Sequence, residues 1–236
     1  MMVSVLKLIS QGVDMVSQYV IGIVEDDINQ TRTIRRTIKS LKPVGIEVDF
    51  KNYDFQEIQM NVYSDLVKKI LEDIYKGSIH SVIIDYKLIA KKTCLNGVNI
   101  IREIKNRFYE FPVIILTQKR NECIETTMID PDKVYDKKSF FSTSELSNKY
   151  VENIFKNIDR YQETVSQLQS EIAFLKNAKK NNPDSNRLFV EKIVKLETEL
   201  SKYKPIGQTE IDNVLDEQKI LKIINLINRA KELTEE

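Results

Sequence analysis

Glu25, Asp26 and Asp27 are consecutive carboxylates that directly follow the apolar run VIGIV (20–24). Asp85 ends a second such run, SVIID (81–85); Thr117 follows a third, PVIIL (112–116); Lys137 follows KVYD (133–136). Adjacent anions repel each other, so the spacing calls for a cation. Oxygens of Glu25, Asp26 and Asp85, once brought together, suit Mg2+, a hard ion that takes oxygen ligands. A hydroxyl at Thr117 and an ammonium at Lys137 facing such a site have one economical use. They can hold phosphoryl oxygens while Asp85 acts as the nucleophile. Each residue alone has a blander role, since carboxylates after strands often cap the next helix, and Asp27 before INQTRTIRR suits that role. All five others at the ends of apolar runs, in order, are harder to obtain by chance.

These side chains need a scaffold that gathers strand ends. Short apolar runs at 20–24, 44–50, 81–85, 112–116 and 133–136 alternate with helical periods near 28–41, 58–76, 97–109 and 121–129. β-Branched, mostly uninterrupted runs between amphipathic helices predict an α/β fold: a five-stranded, doubly wound parallel sheet covered on both faces. In that fold the first and third strands are neighbours and ligands gather at the carboxyl ends of the strands. Glu25, Asp26 and Asp85 then converge.

The rest of the chain reads as helix. Val5, Leu8, Ile9, Val13 and Val16 share one helix face, giving an extra N-terminal helix over 1–18. Val151, Ile154, Ile158, Tyr161, Val165, Leu168, Ile172 and Leu175 form a heptad seam, broken by KKNNPDSN (179–186). A second seam follows at Phe189, Ile193, Leu196, Leu200 and Tyr203; after KPIGQ (204–208), Thr209 and Asp212 cap a third helix reaching about residue 233. Residues 144–236 are thus expected to form an all-α helical hairpin or coiled-coil domain. The shorter second seam covers about half of the first, so the half nearest the sheet predicts the third helix or a homodimer partner.

Composition narrows the function. Among 236 residues, 42% are hydrophobic, 30% are charged, and the net charge is +1. This gives a core and a polar surface with no excess charge directed at nucleic acid or membrane. Residues 144–180 carry six basic and five acidic side chains, no stripe tracking phosphates, so DNA binding is not expected. The N-terminus lacks the features of a signal peptide, and two cysteines without metal-ligand spacing suit a reducing cytoplasm. His80 is the single histidine, which removes histidine-rich metal sites and a phosphotransfer role for the helical half. It opens a buried strand and reads as structural or surface, not as a ligand. Arg32, Arg35 and Arg36 read as a solvated helix face.

With these residues in place, IGIVEDDINQTRTIRR, VIIDYKL, NGVNIIREIK, FPVIILT and VYDKKSF resemble the receiver domain of two-component response regulators over roughly 19–143. The resemblance implies that Glu25 and Asp26 are the metal-binding acidic pair and that Asp85 is the phosphoacceptor. It implies that the Lys87 backbone carbonyl completes the Mg2+ ligands, Thr117 is the switch hydroxyl and Lys137, in preference to Lys138, is the site lysine. Ile89 stands where the family usually has proline, AKKTC lengthens the loop to Gly97, Gln118 replaces a small residue, and Val134 occupies the usual aromatic switch position. The implied function is a signalling protein phosphorylated on Asp85 by a histidine kinase or phosphotransfer protein, its enzymology limited to its own phosphorylation and dephosphorylation. Output would pass through helical protein–protein interaction. The alternative is a receiver-fold scaffold acting through its coiled coil without phosphorylation. A Mg2+-dependent phosphohydrolase comes last, because Lys87 stands where a general acid is wanted.

Overall fold

The β-branched runs form the strands and the amphipathic periods the helices of a computed structural model that describes residues 17–54, 62–90, 93–126, 129–181 and 186–204. In order these are β1 (Ser17–Val24), α1 (Ile28–Leu41), β2 (Ile46–Asn52), α2 (Val62–Tyr75), β3 (Ser81–Asp85), β4 (Lys87–Ala90) and β5 (Thr93–Asn96). There follow α3 (Gly97–Arg107), β6 (Val113–Thr117), α4 (Arg120–Thr126), a 3-10 turn, β7 (Val134–Asp136), α5 (Lys137–Phe141), α6 (Glu145–Asn181) and α7 (Asn186–Leu200). The main sheet is parallel in the order β2-β1-β3-β6-β7, the flavodoxin-like doubly wound arrangement. β1 and β3 are therefore neighbours, as the site requires.

Side-chain alternation along the strands divides the core. Val82, Ile84, Val113, Ile115 and Val134 face one cluster with Leu66 and Ile70 of α2 and Ile100 and Ile104 of α3. Ile21, Ile23, Ile83, Ile114, Leu116 and Tyr135 face the other, with Ile34 and Ile38 of α1 and Val151, Ile154, Phe155 and Ile158 of α6. α2 ends where Gly77 takes φ +67°, a conformation that costs a residue without a Cβ little, and its N–H closes on the Ile74 carbonyl at 3.0 Å.

α6 runs unbroken through 37 residues. Its first turns belong to the α/β core, and its later turns pair with α7. That changes the account of the seam. The half nearest the sheet, expected to need a third helix or second chain, is covered by the sheet itself, because Val151, Ile154 and Ile158 are buried in one cluster with Ile21 of β1, Ile83 of β3, Ile114 of β6 and Tyr135 of β7. The premise for a homodimer is thereby removed. α7 folds back along the distal half, Lys176 pairs with Glu197 at 2.8 Å, and the Tyr161 hydroxyl donates to the Tyr203 carbonyl at 2.6 Å.

Two further expectations change. Ser17 and Gln18 belong to β1 and not to an N-terminal helix. The lengthened loop after Asp85 is an antiparallel hairpin, β4–β5, with Lys87 opposite Asn96 and Ile89 opposite Cys94. Leu88 anchors it, fully buried in the first cluster. The helices expected over 1–16 and 209–233 lie outside the described residues. Among the described residues no helix is long and apolar enough to cross a membrane.

Candidate functional site

The parallel strands deliver their carboxyl ends to one rim. Glu25 and Asp26 follow β1, Asp85 ends β3, Thr117 ends β6, and Lys137 follows β7 as the first residue of α5. One carboxylate oxygen from each of Glu25, Asp26 and Asp85 lies within 4.8 Å of the other two, a donor set that fits a divalent cation. Asp27, the third member of the acidic run, turns away to cap α1, accepting from the backbone N–H groups of Asn29 and Gln30 at 2.7 and 3.3 Å.

Lys137 enters this cluster from the far edge of the sheet. Its Nζ donates to Oε2 of Glu25 at 2.8 Å and lies 3.1 Å from Oδ1 of Asp85. The Lys137 and Glu25 side chains are almost wholly buried (3% and 1% exposed), whereas Lys138 is exposed, so burial singles out Lys137 of the two lysines. Burial pushes the Glu25 carboxyl up to about 7, outweighing the opposing pull of Lys137, and Asp85 adds to the rise. Burial also raises the Asp85 carboxyl; Lys137 opposes this and the Asp26 charge reinforces it. Two carboxylates thus share one ammonium, and the pocket holds more negative potential than Lys137 neutralises.

Thr117 is buried, and its hydroxyl accepts from the Lys119 N–H at 3.0 Å at the turn into α4. Lys87 opens the hairpin beside the site. Its Nζ lies 2.6 Å from Glu122, which also pairs with Lys119 at 3.0 Å, so one carboxylate ties the hairpin to the start of α4. Arg35, expected on a solvated face, is half-buried with its guanidinium over the Phe50 ring. His80 takes a structural role: its Nδ1 accepts from the Val20 backbone N–H at 2.9 Å, and its backbone N–H donates to the Val20 carbonyl at 2.8 Å.

Two supporting contacts were not read from the sequence. A Cβ on Gly97 would sit 2.0 Å from the Asp85 carbonyl oxygen, so only glycine lets α3 begin against the end of β3. NGVN reads as an ordinary helix start; the conflict appears only once β3 is placed. On the other face Tyr135 stacks on Tyr150 of α6, with centroids 4.2 Å apart and rings 11° from parallel. The aromatic of β7 therefore faces the long helix, while Val134 points into the opposite cluster.

No family model matches the chain, and no curated protein matches it. Solved structures similar to it include the receiver domain of the stress response regulator RcsB from Escherichia coli, at 19% identity and TM-score 0.38, covering 53% of this chain and 86% of that one. Another is a response regulator receiver domain from Rhodospirillum rubrum, at 18% identity and TM-score 0.33, covering 59% and 90%. A sensor protein from Polaromonas sp. JS666 aligns at 15% identity and TM-score 0.40, covering 60% and 97%. Likenesses at these levels add nothing about function; the receiver-type fold, a five-stranded parallel sheet flanked by helices and followed by a long helix, stands on the chain's own strand order.

Proposed function

We propose that the protein is a phosphoryl-accepting signalling receiver, with Asp85 as acceptor and a histidine kinase or phosphotransfer protein as donor. The observation that supports it most is the placement of the Lys137 ammonium between the buried carboxylates of Glu25 and Asp85, beside Asp26. In the proposed transfer an Asp85 oxygen attacks phosphorus as the bond to the donor imidazole nitrogen breaks. The products are an aspartyl phosphate and a free imidazole. Lys137 pairs with the new phosphoryl charge, and the Thr117 hydroxyl holds one of its oxygens. Glu25, Asp26 and Asp85, with the Lys87 backbone carbonyl, are the proposed Mg2+ ligands, and the ion when bound neutralises charge on the transferred group.

The proposed organisation is a receiver unit over 19–143 and a helical output region over 144–236, α6 belonging to both through its first turns. Output is by docking of a protein partner on the helices. The test is incubation of the full-length protein with Mg2+ and a small acyl phosphate or phosphoramidate, followed by intact-mass measurement. Wild type gains one acid-labile phosphoryl group and Asp85→Asn gains none. Wild type that stays unmodified under conditions that label an ordinary receiver would replace this reading with the phosphorylation-independent scaffold.

A further inference from the structure

α4 spans only seven residues, and among the described residues a groove stays open over β6, between α3 and the segment 129–133. It measures about 660 Å³, within the range of small-molecule sites. Val113 and Ile115 of β6 line it together with Val98 and Ile101 of α3, and Ile129 faces them from the other segment. Two ammonium groups join this apolar strip: Lys105 of α3 and Lys133 of the 3-10 turn Pro131–Lys133. The Lys105 Nζ donates to the Tyr109 and Phe111 carbonyls at 2.8 and 2.7 Å. Among the described residues no ion pair joins either lysine to a carboxylate.

Two carboxylates also border the groove, and neither offsets these charges. Asp130 is turned to its own loop, where it accepts from the Asp132 N–H at 3.0 Å. Burial pushes the Lys105 ammonium down to about 8, Lys133 adds to the fall, and Glu110 opposes it less than Lys133 promotes it. A half-buried cation in net positive surroundings is costly, and an anion in the groove would offset that cost. We propose that the groove binds an apolar monocarboxylate of the fatty-acid class, its carboxylate held by Lys105 and Lys133 and its alkyl chain laid along Val98, Ile101, Val113 and Ile115. From Val98 to Lys105 the α3 side of the groove is about 10 Å long at the helical rise. That is under two turns, too short to seat a partner helix and suited to one alkyl chain. The proposal goes beyond phosphoryl transfer at Asp85 and does not depend on it.

The test is isothermal titration calorimetry of the full-length protein with sodium octanoate, which should show saturable binding at one site. Octanol keeps the tail and acetate keeps the carboxylate. Each should bind more weakly by about tenfold or more, because each lacks one half of the recognition. Lys105 also ties the end of α3 to two carbonyls, so the substitutions are placed at Lys133. Lys133→Met should weaken octanoate binding, and Lys133→Glu should weaken it further, by about tenfold or more. Absence of saturable heat with wild type overturns the proposal, as does octanol binding as tightly as octanoate. Octanoate affinity unchanged in either folded Lys133 variant puts the binding elsewhere and overturns it as well.

Discussion

The Nζ of Lys137 stands 3.1 Å from Oδ1 of Asp85, although Asp85 ends β3, Lys137 follows β7, and β6 lies between those two strands in the sheet. The same Nζ holds Glu25, so one ammonium stabilises two buried carboxylates. Lys137→Met leaves both without that partner. Breaking a buried ion pair by removing one member costs about 3–5 kcal/mol. Urea unfolding of the variant should show a loss of that order, with partial recovery when millimolar Mg2+ is added, because a divalent ion offsets the same charges.

Asp26 acts in the opposite sense. Its charge raises the Asp85 carboxyl, and its oxygen completes the three-carboxylate cluster. Asp26→Asn should raise the melting temperature in EDTA, by relieving repulsion, and should weaken Mg2+ binding measured by calorimetry. A melting temperature that falls clearly in EDTA would contradict a crowded acidic pocket.

Gly97→Ala tests the close approach of α3 to the acceptor strand. The added methyl would meet the Asp85 carbonyl oxygen at 2.0 Å and Ile84 Cγ2 at 2.9 Å. The first of these is backbone and cannot rotate aside. Overpacking at such a point costs about 3 kcal/mol. Denaturation should report that loss, and phosphoryl labelling should fall with it, since relieving the clash displaces Asp85.

His80 gives the protein a pH dependence of defined sign. Burial holds its imidazole below the ordinary 6.5, and a second proton on Nδ1 would break the bond from the Val20 N–H. Its contribution to stability is complete above pH 6.5 and declines as pH falls below that value. Glu25 contributes oppositely: with its carboxyl raised from 4.5 to about 7, stability declines as pH rises through that interval. The two overlap, so the difference between wild type and His80→Gln isolates the imidazole. Glutamine keeps an acceptor for Val20 but does not titrate. Wild type should lose stability relative to this variant between pH 7 and pH 5.5; a constant difference would refute the assignment.

Periodicity alone settled much of this molecule, because β-branched runs and amphipathic helices are local patterns and a parallel sheet places strand ends on one rim. From that, Glu25, Asp26, Asp85, Thr117 and Lys137 could be assigned to the same rim. Asp27's separate role was legible for the same reason, since a cap acts on N–H groups only two and three residues away. Contacts between distant segments were not legible. Whether Lys137 or Lys138 enters the pocket depends on which way a residue points after β7, and burial selects the first. The ban on a side chain at Gly97 exists only against the Asp85 backbone. The near half of the α6 seam looked unpartnered in sequence because its partner is a sheet face to which β1, β3, β6 and β7 all contribute, none of which carries a heptad. Local spacing fixes the elements and the order of their ends. Only packing decides which face covers which, since that choice is made by shape and burial between residues far apart in the chain.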